Sequence, residues 1–394
     1  MLIVAPRWDF LLPAETDEGA KGKVDHLGRG LEPAETERVR EQRVVYVDRD
    51  AHLSPWLPYI IERSASRPMP LSRCGPADVA ARLASMAWPA LTAARDRPTI
   101  VALHLFSQVV GKVPTALLPW RNHGWHLTLH VTPRGLVTEP IHAPAGTFSL
   151  AFDLAGHELV YESAAARMSV PLQPMPVADF YGILMAMLER AGHDIHIHAA
   201  PNEIEPAIPF AEDKAVRAYD PDSARRLHGA LVEADRIFRL FRSGFLGKVS
   251  PVHFFWGGFD LAVTRFSGRE APPHPGGIPN LPDEITREAY SHEVSSAGFW
   301  PGSAGAETEP FFYSYAYPTP EGFAEAKVEP AAACFDATLG EFILDYEAVR
   351  TAADPDAALL AFLESTYAAA ADLAGWDRAA LDCAIGTPGV PRTV

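Results

Sequence analysis

Apolar and polar positions alternate most cleanly in two stretches of similar build. Along 125–132, Trp125, Leu127, Leu129 and Val131 fall on one side and His126, Thr128, His130 and Thr132 on the other. Along 259–266, Phe259, Leu261 and Val263 oppose Asp260, Ala262 and Thr264. A period of two predicts strands with one apolar and one polar face. Helical spacing of apolar residues predicts helices over 99–110, 177–192, 221–243 and 354–376. FSLAFDLAGHELVYES (148–163) and AACFDATLGEFILDYE (332–347) each read as two strands around a turn opened by Phe-Asp.

These elements recur in the same order. LFSQVVGKVPTALLPW (105–120) is followed by WHLTLHVTPRG, and LFRSGFLGKVSPVHFFW (240–256) by FDLAVTRFSG. Gly111-Lys112-Val113 falls on Gly247-Lys248-Val249 and Trp120 on Trp256, so Lys112 and Lys248 are expected to serve the same turn in each copy. Each unit reads helix, antiparallel strands, helix. The expectation is an α+β fold built from a duplicated unit, packed as a pseudo-dimer. Residues 1–90 would be a partly irregular N-terminal extension, 91–218 the first repeat and 219–394 the second. Within the extension, 40–50 reads as a strand, and 33–43 and 76–88 as short helices.

Composition narrows the class. Apolar residues at 48% and charged residues at 21% suit a globular chain. The net charge of −16 has the wrong sign for a nucleic-acid or anionic-membrane surface. Of it, −12 lies in 219–394, with 13 basic and 25 acidic residues. Cys74, Cys334 and Cys383 are scattered and odd in number, which predicts reduced thiols. With no basic stretch at the start and no run of eighteen apolar residues, a soluble cytoplasmic protein is expected.

The second unit differs by one long connection, 269–310, rich in Pro, Gly, His and aromatic residues, which reads as an ordered functional loop. The blocks GKVPTALLPWRNHGWHLTLHVTPRGL, SPVHFFWGGFDLAVTRFSGREAPPHPGG and EAYSHEVSSAGFWPG together resemble the uncharacterised bacterial family known as domain of unknown function 5996, over roughly 85–378. The resemblance implies no reaction, substrate or cofactor.

Candidate chemistry gathers around these blocks. A small-molecule enzyme would place its site between the two units, roofed by loop 269–310. His253, His292 or His126 would act as general base and Asp260 or Glu293 as acid or orienter, with Arg265 as anion anchor. Trp256, His130 and Tyr290 would complete a substrate site. Neutral imidazoles with a carboxylate are ligand types for a divalent transition metal, and His253, His274, His292 and Glu293 would hold it. No GxGxxG or GxxxxGK[ST] pattern calls for a nucleotide cofactor. GHDIHIH offers His193, His196 and His198 as a weaker set. The competing expectation is a non-catalytic ligand-binding or interaction module whose acidic last third docks a basic partner.

Overall fold

The computed structural model describes residues 61–62, 88–277 and 280–392. In chain order the first half contains β1 (Ile61–Glu62), α1 (Ala93–Leu117), a 3-10 turn (Asn122–Leu127), β2 (Thr128–Thr132), β3 (Gly135–Thr138), β4 (Ile141–Ala143), β5 (Gly146–Asp153), β6 (Glu158–Ser163), β7 (Arg167–Pro171), β8 (Met175–Pro176), α2 (Val177–Arg190) and β9 (Val216–Arg217). The second contains α3 (Pro221–Ser243), β10 (His253–Phe255), β11 (Asp260–Glu270), α4 (Asp283–Ala289), β12 (His292–Trp300), β13 (Phe311–Tyr317), β14 (Cys334–Asp336), β15 (Glu341–Asp345), α5 (Tyr346–Arg350), α6 (Pro355–Leu373) and α7 (Arg378–Leu381). The fold is α+β, as expected. The strand at 40–50 and the helices at 33–43 and 76–88 fall outside the described residues, apart from Trp88 at the end of the last.

Apart from β8 and β9, which pair with each other, the strands form one antiparallel sheet in the order β1-β7-β6-β5-β3-β2-β10-β11-β12-β13-β15-β14, with β4 on β5. Its halves meet where β2 pairs with β10, Leu129 opposite Phe254 and Thr128 opposite Phe255. One face carries the apolar row Leu129, Phe254, Leu261, Phe299, Phe312 and Leu344, each at most 1% exposed. On that face α3 packs against β2 and β11, and α6 against β12 and β13; α1 packs on α3 and α2. Burying large apolar side chains from both layers is the main stabilising term.

Local chemistry explains the long helices. Both α3 and α6 begin Asp-Pro-Asp. Asp220 accepts from the amides of Asp222 and Ser223, Asp354 accepts from Ala357, and the proline follows at the first turn, where its missing N–H costs nothing. α1 is the one helix among the described residues long and apolar enough to cross a membrane, and 78% of its most apolar stretch is buried inside the protein. The Phe-Asp turns close the β5–β6 and β14–β15 hairpins. Asp153 Oδ1 accepts from the Gly156 amide at 2.8 Å, and Asp336 Oδ1 from Thr338 and Leu339 at 2.8 and 3.0 Å.

Three expectations change. Gly111-Lys112-Val113 lies within α1, whereas Gly247-Lys248-Val249 lies in the non-helical link from α3 to β10, so the two lysines share no turn. What the glycines share is contact. A Cβ on Gly111 would sit 2.2 Å from the Trp256 indole, and one on Gly247 2.6 Å from Phe245 and Leu381. Residues 125–127 are not strand, because His123 and Gly124 take φ of 60° and 66° and curl the chain into the 3-10 turn. The connection 269–310 contains a central strand, β12. Its HEVSSAGFW sequence mixes small, polar and bulky residues on both faces, Val294 and Trp300 on one and Phe299 on the other, and shows no contrast for alternation to reveal. GHDIHIH has no regular structure.

Gly111→Ala should lower stability by about 1–3 kcal/mol through overpacking against Trp256. Helix propensity alone would raise it by about 1 kcal/mol. Urea unfolding decides between the two signs.

Candidate functional site

Alternation along β11–β13 sends a different set of side chains to the face away from the helices. Ala262 pairs with Gly298, and Gly298 with Tyr313; Thr264 pairs with Ser296, and Ser296 with Tyr315. The Tyr313 ring lies across Gly298, where a Cβ would come within 2.3 Å of its Cζ and hydroxyl. So laid, Tyr313 donates a hydrogen bond to Asp260 Oδ2 at 2.5 Å. Next along, the Tyr290 and Tyr315 hydroxyls bond at 2.9 Å, and Thr264 Oγ1 bonds Ser296 Oγ at 2.8 Å. Glu341, at the start of β15, is buried on the same side.

The connection 271–291 borders this face. Tyr290 stacks on His274 at 4.9 Å and meets Tyr317 at 5.1 Å, while Tyr317 donates to the Pro272 carbonyl at 2.9 Å. Asn280 Nδ2 donates to the Ile204 carbonyl at 2.9 Å, and His123 Nδ1 to the Ala289 carbonyl at 2.9 Å.

The β10–β11 turn forms the other wall. Glu203 lies against Gly257, whose absent side chain leaves the room: a Cβ there would be 2.5 Å from Glu203 Oε1. The segment is held to α1 through Gln108, which accepts from the Asn202 amide at 2.8 Å and donates to the Asn202 and Gly257 carbonyls. His104 Nε2 donates to the Gly257 carbonyl at 2.9 Å and Nδ1 accepts from the Ala304 amide at 3.0 Å. That pattern requires one neutral tautomer, in keeping with burial pulling its pKa down to about 4. Lys112 Nζ donates to Asn202 Oδ1 at 2.5 Å.

Electrostatics mark this cluster out. Burial pushes Glu203 up to about 8, with Asp260 adding to the rise and Lys112 opposing it. Burial also raises Asp260 to about 6, against the Tyr313 hydrogen bond and with Glu341 contributing repulsion. Burial draws Lys112 down to about 7, with Glu203 opposing. Tyr290 and Tyr313 are held well above the ordinary phenol range by burial first. Neighbouring carboxyls whose environments separate their titrations can divide acid and base roles between them.

Of the sequence candidates, Asp260, Tyr290 and His274 come together here; the others do not. His253 points to this face in β10, but it is 1% exposed beneath Trp125 and Phe255, its Nδ1 has no partner, and burial lowers it to about 3. A neutral ring so enclosed is a poor base. His126 is buried in the 3-10 turn, where Nδ1 accepts from the Arg121 amide at 3.2 Å and Trp120 meets its ring edge-on. His130 is half-exposed, with Nε2 3.7 Å from Glu139.

Arg265 lies on the helix-facing side of β11. Its guanidinium stacks over Phe241, Tyr367 and Phe245 and donates to the Phe241 carbonyl at 2.5 Å, so it anchors no substrate on the opposite face. Trp256 is packed against Gly111 with Lys112 Nζ 5.5 Å from its ring, as part of the core wall. Glu293 pairs with Arg269 at 2.7 Å. His292 faces away from Glu293, since consecutive strand residues alternate, and its ring lies 6.1 Å from His123. The quartet His253, His274, His292 and Glu293 is therefore dispersed. Among the described residues no group of three or more His, Cys, Asp or Glu is placed to hold a metal ion.

Sequence reasoning missed Glu203, Glu341, Tyr313, Tyr315 and Lys112. The tyrosines carried a usable signal, since FFYSYAY places Tyr313, Tyr315 and Tyr317 on one strand face. Glu203, in PNEIEP, carried none. A family model described as a family of unknown function, DUF5996, matches residues 88–383. No curated protein and no solved structure matches the chain.

Because the folded pKa of Glu203 lies above its ordinary value, the folded state holds a proton between about pH 4.5 and 8 that the unfolded chain releases. Stability contributed by this group therefore falls as pH rises through that window. Glu203→Gln should gain stability relative to the native chain, by on the order of 1 kcal/mol or more, between pH 6 and pH 9. Denaturant unfolding at the two pH values reads it; an unchanged difference would contradict the burial of this carboxyl.

Proposed function

The chain belongs to DUF5996, a family of unknown function, and from that premise we propose that it is a small-molecule enzyme performing general acid–base chemistry at the Asp260–Glu203–Tyr313 cluster. The observation that carries the reading is the pair of enclosed carboxyls: Asp260, bonded by Tyr313 at 2.5 Å and pushed by burial up to about 6, and Glu203, set against Gly257 and pushed by burial up to about 8. Between those values Asp260 is ionised and takes a proton from bound substrate, while Glu203 is protonated and returns one to the product. Tyr313 holds the Asp260 carboxylate in place. The hydroxyl pairs Tyr290–Tyr315 and Thr264–Ser296 supply polar contacts along the same face. Tyr290, Tyr315 and Tyr317 remain partly exposed and form the approach.

Two further parts of the proposal concern history and place. The order helix, antiparallel strands, helix occurs in each half, and the Phe-Asp hairpins close with the same aspartate-to-amide bonds. Both features support descent from a duplicated unit with its division near residue 218. The free thiols of Cys334 and Cys383 fit a cytoplasmic setting.

The test is turnover of a metabolite extract followed by mass spectrometry. The native chain should consume at least one compound, with a bell-shaped pH dependence whose limbs lie near 6 and 8. Asp260→Asn should slow it roughly 10²–10⁴-fold, the usual worth of a general base. Glu203→Gln should remove the alkaline limb, and His253→Ala should keep the profile. Absence of any turnover, or an Asp260→Asn chain as active as the native one, would sink the proposal.

Gly298→Ala forces the Tyr313 ring off its seat and should reduce the same turnover at least tenfold while the far-ultraviolet circular dichroism stays native. Full activity in this variant would show that the tyrosine's placement is immaterial.

A further inference from the structure

The walls around Asp260 select for charge. Four rings lie near it: Tyr290 is stacked 4.9 Å from His274, meets Tyr317 edge-on at 5.1 Å and lies tilted 6.2 Å from Tyr315. Tyr315 in turn lies parallel to Tyr313 at 6.1 Å. Phenol ring faces carry negative quadrupole potential and attract cations. Close to the rings lies Asp260, 5% exposed, and near it the Glu203 carboxyl, whose Oε2 is sealed from solvent and has no hydrogen-bond partner. A buried acceptor oxygen without a donor is costly unless something supplies one. Among the described residues, the two nearby arginines are engaged elsewhere. Arg265 sits on the helix side of the sheet, and Arg269 is bound to Glu293. Lys112 donates to Asn202, on the Glu203 side of the cluster.

We propose that the ligand of this site is a small organic cation bearing a primary ammonium group, received against the Tyr290, Tyr315 and Tyr317 rings and held by the Asp260 carboxylate. The inference rests on the site assigned above and adds the ligand's charge and head group. A primary ammonium suits the site better than a quaternary one, because its three N–H donors match carboxylate and phenol oxygens that a quaternary centre could only approach. The aliphatic remainder would lie along the tyrosine faces, where area burial favours an apolar stem.

The probes are n-butylammonium, n-butanol and butyrate, which share a stem and differ in head group, titrated calorimetrically into the full chain at pH 7.5 and constant ionic strength. n-Butylammonium should bind at least tenfold more tightly than the other two. Asp260→Asn should weaken it about tenfold or more, the worth of one charge-assisted hydrogen bond. Tyr290→Leu should weaken it about threefold or more, and Tyr290→Phe, which keeps the ring but loses the hydroxyl, should weaken it by less than Tyr290→Leu does. The Tyr290 pair decides the matter if Asp260→Asn does not fold. Butyrate or butanol binding as tightly as the ammonium, with sensitivity to Asp260 or Tyr290, would overturn the charge assignment and leave the site intact. Binding of none of the three, or ammonium binding indifferent to every variant, would overturn the site along with it.

Discussion

Antiparallel register across β11, β12 and β13 decides which side chains meet the helices and which meet the site. With Ala262, Gly298 and Tyr313 in one row, two small residues leave a lane along which a tyrosine can lie flat. A one-position slip of a strand would turn its own apolar residue, Leu261 of β11, Phe299 of β12 or Phe312 of β13, to the site face, and a slip of β11 would bring Asp260 under the helices. The apolar row beneath makes that slip expensive, so the core that stabilises the fold also fixes the site's geometry. Tyr313 reaches Asp260 because Phe312 cannot leave the core.

The cluster is held against its own electrostatic cost. Asp260, Glu203 and Glu341 are all raised by burial, which means each opposes folding at neutral pH when compared with a solvated carboxyl. Similar cost elsewhere is offset by full pairing: Asp96, wholly buried, is bonded by Arg95, Arg226 and Ser223 and lowered to about 2 despite its burial. That contrast separates a structural carboxylate from one kept at a working pKa. The surrounding scaffold carries the difference: Gln108 and His104 brace the Glu203 segment against α1 from beneath, and Tyr317 and Asn280 fasten the connection 271–291 along the rim.

Much of the fold was legible because it is local. The Asp-Pro-Asp caps, the Phe-Asp hairpins, the helices at 177–190 and 221–243 and the alternation in β11 all rest on neighbours a few residues apart. β12 was hidden because its inward face is Ser295, Ala297 and Phe299 and its outward face Val294, Ser296, Gly298 and Trp300, too alike to show a period. The 3-10 turn was mistaken for strand because Trp125 and Leu127 continue the alternation of β2, while two positive-φ residues just upstream turn the chain out of the strand path. Among site candidates, Asp260 came from the alternation of its strand and Tyr290 from its place in the long connection. The histidines were chosen for their chemistry, and burial then made His253 and His126 neutral parts of the packing.

By itself the sequence determined the element types, the α+β class and the polar row to which Asp260 belongs, since periodicity and capping act over short separations. Only the tertiary structure decided the companions of Asp260. Tyr313 comes from two strands away, and Glu203 arrives from a proline-rich segment with no periodicity of its own. Their pKa values depend on burial, and burial is a property of everything packed around a group, which no local stretch of chain encodes.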